Sequence, residues 1–466
     1  MRPVPFSGRK ITAAVPDLYA GSHFPAWFML IRTMTFTELN PTEDRMLTQE
    51  QKQLVKDTVP VLKENGVALT DYFYKRMLRN NPDLQEVFNM GHQRSGAQAK
   101  ALAGAVLAYA ENIDEPGVLA PVIELICHKH VSLNIKAPDY SIVGENLLHS
   151  ISEVLSVPMD NPLIGAWGAA YQELADIFIG AEKRLYDERR TTPGSWLGWR
   201  DFNVSKKVKE SEEISSFYLT PADGQALPDY RPGQYVTLRV FVTELGLKQP
   251  RQYSLSGKPG AGYLRISVKR EDPRAEGQDP GYVSSTLHNA VSEGDTVELS
   301  APAGNFFLLN PEVDNVLISA GVGLTPMMSM THHLLAEIAD PNTSLKADHA
   351  PQIQDRKQIF FLHAARSSDV HALRQELAAL SKQNSNLHIF IAYEQAKETE
   401  VLGEDYHVQG RLDLSAVPAE YLPPDADFYL CGPVPFMHEQ YRSLLAMGIA
   451  KERIHSEAFG TGGVGI

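Results

Sequence analysis

Residues 231–235 read Arg-Pro-Gly-Gln-Tyr, and residues 251–254 read Arg-Gln-Tyr-Ser. The first stretch is typical of a turn that leads into a strand, because Pro232 fixes φ and Gly233 permits the bend. The second stretch places a fixed cation, an aromatic hydroxyl and a small hydroxyl on adjacent or alternating strand positions. A flat, phosphorylated, redox-active ring requires such a set. For the second stretch alone, an ordinary strand with polar side chains is an equally good interpretation.

Together the two stretches resemble the flavin-binding barrel of ferredoxin-NADP reductase-type proteins. The resemblance implies that FAD is bound here, and the residues that it places at the flavin are Tyr235, Arg251, Gln252, Tyr253 and Ser254. A flavin in such a barrel requires an electron source on one side and an electron user on the other.

The chain length predicts about three domains, since 466 residues divide into units of roughly 150. A net charge of −14 argues against a nucleic-acid partner. Cys127 and Cys431 have neither metal-site spacing nor a disulfide framework, which favours a reducing compartment. The longest apolar run, around residues 24–31, is far shorter than the ~20 residues of a membrane span, so we expect no integral membrane segment.

Residues 1–45 match nothing that follows them. Up to Thr37 they contain one acid against four basic residues, together with several hydroxyl residues, which permits a mitochondrial transit peptide, but the four prolines of this stretch oppose a long amphipathic helix. A disordered extension, or an upstream start of a gene whose first domain begins at Met46, are the alternatives. We expect a cytoplasmic protein, or a mitochondrial one if this segment acts in targeting.

The remaining chain predicts three successive domains. Residues 46–188 have helical periodicity, with a capping box at Thr48 and Gln51 and a break near Pro60, and indicate an all-α domain. After a linker at 189–197, short alternating runs over 198–311 indicate an antiparallel β-barrel. Strands and helices alternate over 312–466, which indicates an α/β domain with a mostly parallel sheet, and Asp340–Asp355 is predicted to be a surface insertion.

The α/β domain begins with a strand, a glycine turn and a helix start. Its glycines allow close approach of a pyrophosphate, and the helix N-terminus supplies free N–H groups. This segment resembles the pyridine-nucleotide site of the reductase family, which implies binding by Gly321, Val322, Gly323, Leu324, Thr325 and Pro326. Cys431, Gly432 and Pro433 match the second, nicotinamide-side turn of that family, although alone they are also typical of a structural tight turn.

Two further segments resemble flavin contacts. Gly281, Val283 and Ser284 precede a predicted helix at Thr286–Ala290 and offer N–H and hydroxyl donors. At the C-terminus the family usually has Phe-Gly-Pro where this chain has Phe-Gly-Thr, so the aromatic that covers the flavin is retained and the residue after the glycine differs. The predicted contacts of this tail are Ala458, Phe459, Gly460 and Thr461.

The choice between NADH and NADPH depends on Arg366, which follows a strand near the expected adenosine ribose. An arginine there could bind a 2′-phosphate, and a solvated loop arginine is the alternative. We expect both nucleotides to react.

The helical domain resembles a globin, and specifically the globin half of flavohaemoglobins. The resemblance makes His130 the proximal iron ligand of haem b and places Phe88 against the haem. It also places Tyr140 and Glu182 on the proximal side, where a carboxylate makes the histidine more electron-donating. Glu182 could otherwise be a helix-surface acid and Tyr140 a core residue.

On the distal side the same resemblance places Tyr74, Gln98 and Leu102. Gln98 and Leu102 are four residues apart and share a helix face, and the phenol and amide can donate hydrogen bonds to bound oxygen. The resemblance implies a nitric oxide dioxygenase with O2 and NO as its small-molecule partners, and we expect a monomer. A reductase of another acceptor and a gas-sensing globin are the alternatives.

Overall fold

The computed structural model describes residues 47–273, 279–339 and 357–459. The predicted N-terminal extension, the predicted insertion at Asp340–Asp355, and Gly460 and Thr461 lie outside these residues. The last of the described N-terminal helices ends at Thr191 and the first strand begins at Arg200. The domain boundaries given above remain a proposal.

The first part of the described chain is helical. Its α-helices are α1 (Gln49–Asp57), α2 (Val59–Asn80), α3 (Met90–Arg94), α4 (Ala97–Glu111), α5 (Ala120–Ser132), α6 (Ala137–Leu155) and α7 (Pro162–Thr191).

The local signals at the first two helices act as the sequence predicts. The Thr48 hydroxyl accepts a hydrogen bond from the N–H of Gln51, whose side chain accepts one from Thr48 in return. The break falls at Thr58, so Pro60 lies in the first turn of α2, where its missing N–H is not required. Apolar residues of α1, α2, α4, α6 and α7 form one core, which includes the fully buried Phe73 and Met77.

The middle part is one six-stranded antiparallel sheet, whose strands are β1 (Arg200–Lys209), β2 (Ile214–Pro221), β3 (Tyr235–Val242), β4 (Leu247–Ser254), β5 (Leu264–Lys269) and β6 (Thr296–Leu299). The strand order is β4-β3-β6-β1-β2-β5. The sheet curls until its edges meet, because Leu255, directly after β4, bridges to Ile266 on β5. This geometry confirms the predicted antiparallel barrel.

One helix packs on this sheet, α8 (Tyr282–Asn289). The prediction of a helix only at Thr286–Ala290 was wrong, since the helix begins four residues earlier and Gly281 is its N-cap. A side chain at Gly281 would place its Cβ 2.5 Å from the Ser284 hydroxyl. The close approach of these two residues therefore starts the helix at Tyr282.

The last part is a parallel sheet of β7 (Asn315–Ala320), β8 (Ile359–Ala365), β9 (Leu387–Tyr393), β10 (Val408–Gln409), β11 (Asp427–Gly432) and β12 (Ile454–Ala458). The helices that pack on it are α9 (Leu324–Ala339), α10 (Arg374–Gln383) and α11 (Val434–Ala446). The strand order is β10-β9-β8-β7-β11-β12. From β7 the chain builds the sheet towards one edge through β8, β9 and β10, and then returns to the other side of β7 with β11 and β12, so the switch point lies between β7 and β11. Open α/β sheets bind ligands at such a switch point, beyond the carboxyl ends of the strands.

Among the described residues, no single helix has the length and apolar character of a membrane span. One pair of consecutive helical segments, Pro116–Ser132 and Ala137–Leu155, is long and apolar enough when the two are taken together, and the chain bends by 113° between them.

Candidate functional site

His130, in the last turn of α5, contacts two polar side chains from other helices. Its Nδ1 lies 2.8 Å from Oε1 of Glu182 and 3.0 Å from the hydroxyl of Tyr140. Tyr140 donates to the same carboxylate oxygen over 2.5 Å. The structure therefore brings together the three residues that were assigned to the proximal side.

This arrangement determines which histidine nitrogen can bind a metal. Both contacts fall on Nδ1, so Nε2 is the nitrogen that remains for an iron. Glu182 is 2% exposed, which rules out a helix-surface acid. Burial, followed by the charge and hydrogen bond of Glu182, raises the pKa of Tyr140 well above its ordinary value, so the phenol stays protonated and donates.

On α2, Tyr74 is buried, whereas Tyr72 is 40% exposed and donates to Glu153. Helical geometry separates these two tyrosines, and Tyr74 is the one that faces inward. Its ring packs edge-on against Phe88, with 5.7 Å between the ring centroids. Burial raises the pKa of Tyr74, and a hydrogen bond with Gln98 acts in the opposite direction.

The residues between α2, α4 and α5 fit a haem. Phe88 and Leu102 are only half-buried although they belong to the helical core, and the His130 side chain is 31% exposed. Oε1 of Gln98 and Nδ1 of His92 are buried without a hydrogen-bond partner among the described residues. Apolar walls, two orphaned polar atoms and a histidine with one free nitrogen are what a haem with a bound gas would use.

The flavin residues lie on β3 and β4, which are adjacent and antiparallel. Tyr235 is paired with Ser254, and Thr237 with Gln252, whose amide donates to the Thr237 hydroxyl over 3.3 Å. Burial lowers the pKa of Arg251 to about 10, so the guanidinium stays charged. No ion pair of Arg251 is found within the described part of the chain, where its Nη1 donates to the carbonyl of Pro250 over 2.6 Å. A half-buried cation without a carboxylate partner fits a pyrophosphate.

Tyr253 lies on β4 beside Arg251, and burial raises the pKa of its phenol. At the start of α8, Val283 and Ser284 are buried. The Ser284 hydroxyl donates to the carbonyl of Gly281 and accepts from the N–H of Glu271. Its hydroxyl thus stabilises the helix start, and the free N–H groups of the first turn are the donors available to a ligand.

The nucleotide motifs meet at the switch point of the parallel sheet. Gly321–Gly323 forms a 3-10 turn, and a Cβ on Gly323 would lie 2.2 Å from the carbonyl oxygen of Cys431. Only glycine permits this approach, which brings the first motif against the Cys431-Gly432-Pro433 turn. Leu324, Thr325 and Pro326 are buried in the first turn of α9, where the hydroxyl of Thr325 donates to the carbonyl of Val322.

The predicted ribose-side arginine has a partner. Arg366, 62% exposed, forms an ion pair with Glu213, which comes from the segment before β2. The 2′-phosphate of NADPH would have to compete with this carboxylate.

Comparison with known protein families gives three matches along the chain. They are "Globin" over residues 71–178, "Oxidoreductase FAD-binding domain" over 201–308 and "Oxidoreductase NAD-binding domain" over 317–442. A Flavohemoprotein of Bordetella parapertussis is 52% identical over 422 residues, which cover 90% of this chain and 100% of that protein. The chain belongs to the flavohaemoglobin family.

Other comparisons agree with the membership in the flavohaemoglobin family. A Flavohemoprotein of Chromobacterium violaceum is 50% identical over 418 residues, covering 89% of this chain and 99% of the relative. The crystal structure of a flavohemoglobin from Malassezia yamatoensis, with bound FAD and heme, superposes with a TM-score of 0.73 at 27% identity. The superposition covers 89% of this chain and 100% of the Malassezia yamatoensis chain. The predicted globin, FAD-binding and NAD-binding modules are thereby confirmed, and the chain is an oxidoreductase.

In this flavohaemoglobin the C-terminal strand reaches the redox motifs. Ala458 is paired with Gly432 and Glu457 with Cys431 in the parallel ladder of β11 and β12. Phe459, directly after this strand, is 42% exposed and is the last described residue. Ala458 thus lies beside the nucleotide turn, and the cover of a flavin by Phe459 remains a proposal.

Sequence reasoning missed Glu457 as a site residue of the flavohaemoglobin. Its Oε2 is buried without a hydrogen-bond partner among the described residues, and burial raises the pKa of its carboxyl to about 8. Glu457 is paired with Cys431 in the sheet, and its ionisation would raise the pKa of both Cys431 and Tyr235, so it lies near both the nucleotide and the flavin motifs. The sequence offered one signal for this residue: Glu457 is a carboxylate that directly precedes the predicted flavin contacts Ala458 and Phe459.

The globin and flavin parts of the flavohaemoglobin are joined by one buried and one partly buried hydrogen bond. The Thr237 hydroxyl donates to Ser132, two residues after His130, over 2.8 Å. The N–H of Gly304 donates to Nδ1 of His128 over 3.3 Å. The helix that carries the predicted iron ligand is therefore docked directly on the flavin-binding sheet.

Proposed function

We propose that this flavohaemoglobin is a nitric oxide dioxygenase, which uses NAD(P)H and O2 to convert NO to nitrate. The single observation that carries the proposal is the hydrogen-bonded set of His130, Glu182 and Tyr140. It lies on α5, α6 and α7, and the end of α5 hydrogen-bonds to the flavin-binding sheet, while a phenol on α2 and an amide on α4 could serve as distal donors.

Haem b and FAD fit the residues present. His130 would ligate the iron and Phe88 would pack on the ring, while Arg251 would hold the flavin pyrophosphate. When bound, FAD would accept hydride as a two-electron unit and pass single electrons to the haem, whose reduced iron can bind O2. One NAD(P)H thus supplies the two electrons for oxidising two NO with two O2 to two nitrate ions.

The proximal residues adjust the iron ligand. Glu182 accepts the Nδ1 proton of His130 in a charge-assisted hydrogen bond, and Tyr140 holds the carboxylate in place. Negative charge on the far side of the imidazole makes Nε2 a stronger electron donor. An electron-rich iron favours activation of oxygen over its reversible storage, which fits a dioxygenase better than a carrier.

The distal residues supply hydrogen bonds. Tyr74 keeps its proton because its pKa is raised, so it remains a donor at any physiological pH. The NH2 group of Gln98, which lies beside Tyr74, is the donor on that side chain, while its Oε1 has no hydrogen-bond partner among the described residues. These two groups are fixed before a ligand enters, and preorganised donors stabilise developing negative charge most strongly where water is excluded.

The test is aerobic consumption of NO by the purified protein loaded with haem and FAD, followed with an NO electrode. We expect rapid consumption that requires NADH or NADPH and yields nitrate. An absence of NAD(P)H-dependent consumption would falsify the dioxygenase assignment. If haem is nevertheless reduced by NAD(P)H in the same preparation, the reductase of another acceptor becomes the better proposal.

A further inference from the structure

Arg189 lies near the end of α7, in the contact between the helical part and the flavin-binding sheet. It is 8% exposed, although an arginine side chain is almost never fully buried unless it is paired. Its Nη1 donates to the carbonyl of Val131 over 2.9 Å, and its Nη2 donates to the carbonyl of Ala301 over 3.1 Å. One guanidinium therefore joins two parts of the chain through backbone carbonyls.

The two carbonyls belong to the surroundings of the two redox groups. Val131 directly follows His130. Ala301 is two residues before Ala303, which exchanges both backbone hydrogen bonds with Tyr235, at 2.9 and 2.8 Å. A planar guanidinium with donors at fixed angles sets the separation of these segments more rigidly than a flexible lysine would.

Arg189 also shares a helix with the carboxylate that contacts the histidine. Glu182 and Arg189 are seven residues apart on α7, so they lie on the same helix face. Glu182 contacts the His130 ring, while Arg189 contacts the backbone next to it. The end of α5 is thus held by two residues of a single rigid helix.

The charge of Arg189 has an effect of its own. Burial lowers the pKa of Arg189 to about 10, so the side chain is cationic at neutral pH. Among the described residues it forms no ion pair, and its acceptors are uncharged carbonyls. An unneutralised buried cation stabilises added negative charge nearby, and therefore favours the reduced form of a redox group on either side.

We propose that Arg189 is a positioning residue for electron transfer between flavin and haem, fixing the proximal helix on the flavin sheet and raising the haem reduction potential. The inference rests on the path of electrons in the proposed function and goes beyond it. It does not depend on what the reduced haem does with oxygen or NO.

The experiment uses the full-length protein with haem and FAD bound, as wild type and as Arg189→Gln and Arg189→Lys. Arg190→Gln is the matched control, because Arg190 is the next residue, has a side chain 61% exposed and, within the part of the chain that the structure describes, pairs only with Asp187 in its own helix turn. Flavin bleaching and haem reduction are followed by anaerobic stopped-flow after mixing with NADH. The haem midpoint potential is measured by spectroelectrochemistry, and amide hydrogen exchange is measured over residues 131–135.

For Arg189→Gln we expect flavin reduction at the wild-type rate and haem reduction slowed by about tenfold or more, since small misplacements cost large factors. We also expect a lower haem potential and faster exchange over residues 131–135. Arg189→Lys keeps the charge, so its potential should stay near that of the wild type while its haem reduction remains slowed. Arg190→Gln should match the wild type throughout.

Wild-type haem reduction and potential in Arg189→Gln would overturn the proposal. An equal loss of flavin and haem reduction would also overturn it, because that result indicates general loss of structure. A wild-type protein that reduces its haem with NADH but consumes no NO would contradict the dioxygenase function alone and leave the role of Arg189 supported by the expected differences.

Discussion

Oε1 of Glu182 lies 2.8 Å from Nδ1 of His130, although the two residues are 52 positions apart and come from different helices. The same oxygen accepts the hydrogen bond of Tyr140. A carboxylate in this place makes the histidine a better electron donor than a backbone carbonyl would.

Replacing Glu182 by glutamine should therefore raise the haem reduction potential and lower NO turnover, by about tenfold to a hundredfold as for other outer-shell partners. The amide retains the size of the side chain and removes its charge. Spectroelectrochemistry and the NO electrode measure the two effects. Tyr140→Phe leaves the carboxylate in place and should change both quantities less; an unaltered potential in Glu182→Gln would contradict the assigned role.

His130→Ala should abolish the Soret band of the purified protein and retain flavin absorbance, because the only predicted protein ligand of the iron is lost while β3 and β4 are untouched. His128→Ala is the control, since His128 lies two residues away and accepts from Gly304. Normal haem content in His130→Ala would remove this residue from the role of ligand.

Tyr74→Phe should speed the dissociation of O2 from the reduced protein by about tenfold or more, since one preorganised donor is lost. Flash photolysis or stopped-flow measures this rate. Tyr72→Phe is a matched control, because its hydroxyl is bonded to Glu153 at the surface, and it should leave the rate unchanged. Equal rates in both variants would place the donor elsewhere.

Arg366→Ala should lower kcat/KM for NADPH by about tenfold, with little change for NADH, if the arginine exchanges Glu213 for a 2′-phosphate. Steady-state NAD(P)H oxidation with each nucleotide measures the ratio. Arg411, with a side chain 85% exposed in the same sheet region, provides the control Arg411→Ala. An unchanged NADPH/NADH ratio would show that Arg366 is a solvated loop residue.

Glu457 predicts a pH dependence of folding stability. Burial raises the pKa of its carboxyl from 4.5 to about 8, so the folded state favours the protonated form. The resulting stabilisation is fully present below about pH 4.5 and is lost as the pH rises through about 8.

Glu457→Gln removes this titration. Between about pH 6 and pH 10, the free energy of unfolding of the wild type should fall on the order of a few kcal/mol further than that of the variant. Urea unfolding at several pH values measures the difference. Parallel pH profiles for the two proteins would show that the carboxyl is ionised in the folded state throughout.

The features that sequence predicts well here depend on neighbouring residues. The Thr48–Gln51 capping box, the break near Pro60 and the alternation of strands and helices after residue 312 follow from local chemistry, and the structure has them where the sequence places them. The start of α8 was placed too late, because Gly281 and Ser284 approach each other in a way that composition does not show.

Contacts between distant segments could not be predicted from one sequence. Arg189 is one of several charged residues in a helix end, and nothing in its neighbours indicates that it reaches Val131 and Ala301. Likewise, Glu213 is an ordinary acid until the fold places it beside Arg366. The resemblance to a family supplied the positions of Glu182 and Tyr140, whose helices meet only in the folded protein.

Helix α7 runs without interruption for 30 residues, about 45 Å, and carries Glu182 and Arg189 two turns apart. Insertion or deletion of a single residue between them would rotate one relative to the other by about 100° around the helix axis. Single substitutions between these positions can be tolerated. A change in the number of residues, by contrast, would turn Glu182 and Arg189 to different faces of the helix, so that they could no longer contact His130 and the flavin-binding sheet at the same time. Across related chains, this interval should therefore vary in composition and stay constant in length wherever both residues occur.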